Sequence, residues 1–136
     1  MKTRLATYVI GAVIGLMTCA QVFAHHGTGA SYQMDKTITL TGTVTQILWS
    51  NPHVGIFIDV KDDQGKVEHW TAESIAPSML KLAGWTKDKL KVGDQITVIV
   101  NPSKFGTSAG NLVKIVFPDG KTWMGGPGAA RQQETQ

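Results

Sequence analysis

The chain has 136 residues, with 13 Lys+Arg against 10 Asp+Glu and one cysteine. Lys2 and Arg4 lie in an amino-terminal leader, so the remainder holds 11 basic and 10 acidic residues, which does not argue for nucleic acid, whose binders usually carry a clustered basic surface. Cys19 lies in the same leader, so thiolate catalysis, cysteine metal sites and disulfides are excluded from everything after it.

The leader reads as a secretory signal. Met1-Lys2-Thr3-Arg4 is basic, Leu5 to Ala20 is apolar, and Val22 and Ala24 sit at the small-residue positions before a cut after Ala24. The expected product begins at His25 and is exported to the periplasm. About 112 residues remain, the size of one ordinary domain. The alternatives for the leader are a membrane anchor, near the lower length limit for a span, and a lipoprotein box at Leu16-Met17-Thr18-Cys19, where Thr18 is a poor residue before a lipidated cysteine. With cleavage, no stable membrane insertion is expected.

Residues 25–36 show no apolar periodicity and carry Gly27, Gly29 and Ser31, which predicts a flexible amino-terminal arm. From Thr37 to Thr45, threonine alternates with Ile38, Leu40, Gly42 and Val44. That is the pattern of a half-buried strand, continuing to Trp49, with Gly42 marking a bend or bulge. Ser50-Asn51-Pro52-His53 turns the chain, and Val54 to Val60 alternates again. Asp62-Asp63-Gln64-Gly65 predicts a hairpin turn into a third strand over Lys66 to Ser74. Pro77 opens a short helix with Met79, Leu80, Leu82 and Ala83 on one face and Gly84 at its end. A further helical turn is predicted at Lys87 to Leu90. Strands are predicted at Gln95 to Val100 and Leu112 to Phe117, separated by a loop over Asn101 to Asn111. The segment 125–136 is Gly/Ala/Gln-rich and predicts a disordered tail.

Three strands, a helix and two strands predict an all-β domain over residues 37–124. The expected architecture is a five-stranded, OB-like Greek-key β-barrel of antiparallel strands; a small sandwich is the alternative.

His25-His26-Gly27, Leu40-Thr41-Gly42-Thr43-Val44, Asn51-Pro52-His53, Trp70-Thr71-Ala72-Glu73, Ala83-Gly84-Trp85 and Val92-Gly93-Asp94 together resemble a family of small exported bacterial proteins known only as a domain of unknown function. The resemblance implies export and a small β-barrel, and it brings no activity.

Chemistry therefore has to come from the residues. A free amine on His25, with the imidazoles of His25 and His26, suits Cu(II). His53 is the best further ligand, because Pro52 stiffens the turn that carries it. The metal candidates are His25, His26 and His53, and the cofactor is copper. The competing reading is a solvated pair of histidines left by a signal cut. His69 and Glu73 share a strand face about 13 Å apart, too far for one ion. Trp49, Trp70, Trp85 and Trp123 read as core or rim packing. There is no nucleophile elbow, phosphate-binding Gly loop or zinc-protease helix, so the expectation is a binding module, with oxidative copper chemistry open only through the same histidines. Two functions stand at this point: copper carriage or buffering, or an envelope adaptor barrel that binds a protein partner and no metal.

Overall fold

The computed structural model describes residues 27–126. The chain divides into two compact units, Met1–Ala30 and Ser31–Gln136. Of the first, Gly27–Ala30 is described, and there the Ala30 N–H donates to the Gly27 carbonyl at 2.8 Å. The predicted signal segment, His25 and His26 lie outside the described residues.

A helical turn, α1 (Thr28–Ser31), precedes six strands and a second helix: β1 (Ile38–Trp49), β2 (Val54–Lys61), β3 (Val67–Glu73), α2 (Pro77–Leu82), β4 (Gln95–Pro102), β5 (Ala109–Val116) and β6 (Thr122–Met124). The sheet order is β3-β2-β1-β4-β5-β6, and β3 also pairs with β5. That last pairing closes a five-stranded barrel, so the predicted all-β barrel is the fold. It is not purely antiparallel. Thr71–Glu73 run parallel to Ala109–Asn111, because a closed ring of five strands cannot alternate in direction throughout: the four antiparallel steps from β3 through β2, β1 and β4 leave β5 pointing the same way as β3.

β1 shows why the alternation worked and where it slipped. Its register against β2 shifts between Val44 and Gln46. Val44 is buried, Thr45 and Gln46 are both exposed, and Ile47 and Trp49 turn back inward. A bulge thus inserts one residue and re-phases the strand, as barrel curvature requires. It lies three residues beyond Gly42, the position expected to carry it. Gly42 has a different reason to be glycine: a Cβ there would sit 2.5 Å from the Asp59 carbonyl oxygen of β2.

The interior is aliphatic. Val44, Val54, Ile56, Ile58, Ala72, Ile96, Val98, Val100, Leu112 and Ile115 fill it, and Leu80 of α2 joins them fully buried. Trp85 is buried, and Trp49, Trp70 and Trp123 pack partly buried against this core, in line with the packing role expected of them. Turn chemistry follows the sequence at Asp62, whose side chain accepts from the Gln64 and Lys66 N–H groups at 2.9 and 2.8 Å.

Four local expectations need correction. Lys87 to Leu90 form turns and bends, not helix. The loop between β4 and β5 is shorter than predicted, because both strands extend into it. β6 was not expected; it pairs with β5 from Lys114↔Met124 to Val116↔Thr122. The arm predicted over residues 25–36 is bound to the barrel over Ser31–Lys36. Tyr32 bridges Ser103, Gln33 N–H donates to the Pro102 carbonyl at 2.9 Å, Lys104 N–H donates to the Ser31 carbonyl at 2.9 Å, and Asn101 Nδ2 donates to the Lys36 carbonyl at 2.8 Å. Backbone pairing of this kind needs no apolar period, so periodicity could not reveal it.

Candidate functional site

The site is built where the β1–β2 turn meets the end of β3. The cis Asn51–Pro52 peptide leads into His53, and β2 starts at the next residue. Gly55 is paired with Glu73. The Ser74 N–H donates to the Val54 carbonyl at 2.8 Å, and the Val54 N–H donates to the Ile75 carbonyl at 3.2 Å. Strand parity then puts His53, Gly55 and Glu73 on the outer face. Gly55 brings no side chain to stand between the other two.

His53 Nδ1 hydrogen-bonds Glu73 Oε1. The other carboxylate oxygen, Oε2, accepts from the Tyr32 hydroxyl. One carboxylate therefore holds two side chains that are far apart in sequence. Tyr32 is 9% exposed. Burial first, then the hydrogen bond to Glu73 and its charge, push its phenol well above the ordinary range, so Tyr32 stays a hydroxyl donor at any physiological pH. The His53 and Glu73 side chains are 42% and 32% exposed, so both keep contact with solvent.

His69 is placed differently. It is opposite Asp59 across β2 and β3, its Nδ1 meets Asp59 Oδ1 at 2.6 Å, and its side chain is 83% exposed. His69 and Glu73 share a face without meeting, as the strand spacing predicted. Among the described residues, no three His, Cys, Asp or Glu side chains gather as a metal site. Of the three predicted ligands, His53 is the one described, and it offers a single ring nitrogen.

Sequence reasoning named His53 and missed its partners. Strand spacing separates Glu73 from His69, while the hairpin register puts it beside the turn that carries His53. Tyr32 gave no signal at all, being a lone aromatic in a polar segment.

Among the described residues, no helix is long and apolar enough to cross a membrane. No curated protein and no solved structure matches the chain. A family of unknown function, DUF6152, matches residues 14–112. That span covers most of the barrel together with both histidine motifs, and more than half of the chain. The chain belongs to this family of unknown function, DUF6152, as its set of short motifs led one to expect.

Proposed function

We propose that the protein is a periplasmic copper-binding β-barrel, a carrier or buffer, whose ligands are the amino-terminal amine, His25 and His26 of the processed chain together with His53. The observation that supports this most is the shared carboxylate. Glu73 grips His53 through one oxygen and Tyr32 through the other. Tyr32 follows His25 by seven residues. Seven residues reach at most about 24 Å, and Thr28–Ser31 take a helical turn within them. Tyr32 is thus held at the carboxylate that holds His53. Ligands carried on one chain need not be gathered from separate molecules.

The donors are an amine and neutral imidazoles with no sulfur among them. Borderline nitrogen ligands favour Cu(II) over the other divalent first-row metals. His53 also has the environment common to metal-binding histidines, with one ring nitrogen on a carboxylate and the other open. The copper would supply Lewis-acid or redox chemistry when bound, and the residues of the chain would hold it.

The test compares two histidines. Isothermal titration of the processed protein with Cu(II) should give one ion per chain. His53→Ala should weaken binding at least tenfold, and His69→Ala should leave it unchanged. If both variants bind as the parent does, His53 is no ligand. If the parent binds no copper, the adaptor reading replaces the copper one.

A further inference from the structure

We propose that Glu73 and Tyr32 are positioning residues that fix His53 as its Nδ1–H tautomer and turn Nε2 outward as the free lone pair. This deepens the copper reading and rests on it for its purpose, but the tautomer itself can be tested without any metal.

The argument is one of hydrogen-bond inventory. An ionised carboxylate only accepts. Glu73 faces His53 through Nδ1, so that nitrogen must carry the proton. A neutral imidazole has one proton, which leaves Nε2 bare. A free imidazole in water favours the opposite tautomer, so the protein has to impose this one, and the hydrogen bond at the other nitrogen is what does so.

Tyr32 makes the imposition firm. Its hydroxyl fills the second oxygen of Glu73, so the carboxylate cannot rotate away without losing that bond. Tyr32 itself is buried. It is flanked by the backbone bonds of Gln33 to Pro102 and Lys104 to Ser31, and by the Gln33 Nε2 bond to the Ser103 carbonyl at 3.1 Å. Glu73 thus touches both the segment that carries Tyr32 and the ring of His53. His69 provides an internal comparison, since it uses the same ring atom toward Asp59 while standing far more exposed.

The experiment is long-range proton–nitrogen correlation spectroscopy on 15N-labelled, metal-free protein expressed from the full chain. It is run about two pH units above the ordinary imidazole pKa of about 6.5. His53 should show a protonated Nδ1 and a bare Nε2. Glu73→Gln should abolish that signature, because the Tyr32 hydroxyl takes the amide oxygen and leaves the N–H₂ donor facing Nδ1. Tyr32→Phe should give a mixture of tautomers while the ring still packs. Copper affinity should fall about 10- to 100-fold in Glu73→Gln, the usual effect of removing such a partner. A His53 that carries its proton on Nε2 in the parent overturns the proposal, as does a tautomer unchanged by Glu73→Gln. A parent with the Nδ1–H tautomer that binds no copper supports the positioning and refutes only the copper reading. Should Glu73→Gln fail to fold, Tyr32→Phe alone decides, by mixture or by no change.

Discussion

Removing one oxygen atom tests the link between the amino-terminal segment and the barrel. Tyr32→Phe keeps the ring and deletes the hydroxyl that donates to Glu73. A hydrogen bond to a charged group contributes about 1.5–3 kcal/mol. Glu73 is about one-third exposed, so water takes up much of its acceptor capacity and the lower end applies. The ring still fills its site, so no cavity cost adds to this. The expected loss is about 1–2 kcal/mol, with no change in the denaturant slope, because the surface exposed on unfolding is the same. For a domain of this size it corresponds to a fall in Tm of roughly 5–12 °C. Urea unfolding followed by tryptophan fluorescence measures it. A second, alkaline arm follows from the raised phenol pKa. Because the folded state holds the phenol above its unfolded value, this contribution is fully present below about pH 10 and is lost as pH rises from there. The parent should therefore lose stability above about pH 10 more steeply than Tyr32→Phe. The chain has two tyrosines, Tyr8 and Tyr32, so in protein starting at His25 the phenolate absorbance reports Tyr32 alone. A Tyr32→Phe stability within about 0.3 kcal/mol of the parent, or a phenol that titrates at its ordinary pKa in the folded protein, would refute the reasoning.

Other perturbations address the barrel and the outer face. Leu80→Ala empties a fully buried position where α2 meets the core, and should cost about 2–5 kcal/mol in chemical denaturation. Gly42→Ala forces a Cβ to 2.5 Å from the Asp59 carbonyl. It should destabilise by about 1–3 kcal/mol and speed amide exchange at the β1–β2 pairing; unchanged exchange there would contradict the close approach. His69→Ala removes an exposed pair with Asp59 and should change stability by less than about 1 kcal/mol, which the same unfolding curves will show.

Most of the barrel is legible in the sequence because its strands are half-buried. Ile38 to Val44 alternate with threonine, and Val54 to Val60 repeat the pattern, since one face of each strand must enter the core. Pro77 and Gly84 bracket α2 for equally local reasons. What depends on contacts between distant segments is not legible. β6 is too short to carry a period, the parallel seam between β3 and β5 is a matter of topology, and the bulge beyond Val44 arises from curvature. The site divides in the same way. His53 stands out beside Pro52, whose fixed φ stiffens the turn that carries it. Glu73 is visible only once the β2–β3 register is known, and Tyr32 only once Ser31–Lys36 is seen bonded to the end of β4 and the turn that follows it.

The central claim is that a processed amino terminus and His53 form one copper chelate. Protein recovered from the periplasm should have an intact mass corresponding to a chain that starts at His25. That material should bind one Cu(II) per chain, and protein with a single extra residue ahead of His25 should lose most of the affinity, because its amine no longer chelates with the His25 ring. An extended chain that binds copper as tightly as the processed one would contradict the account.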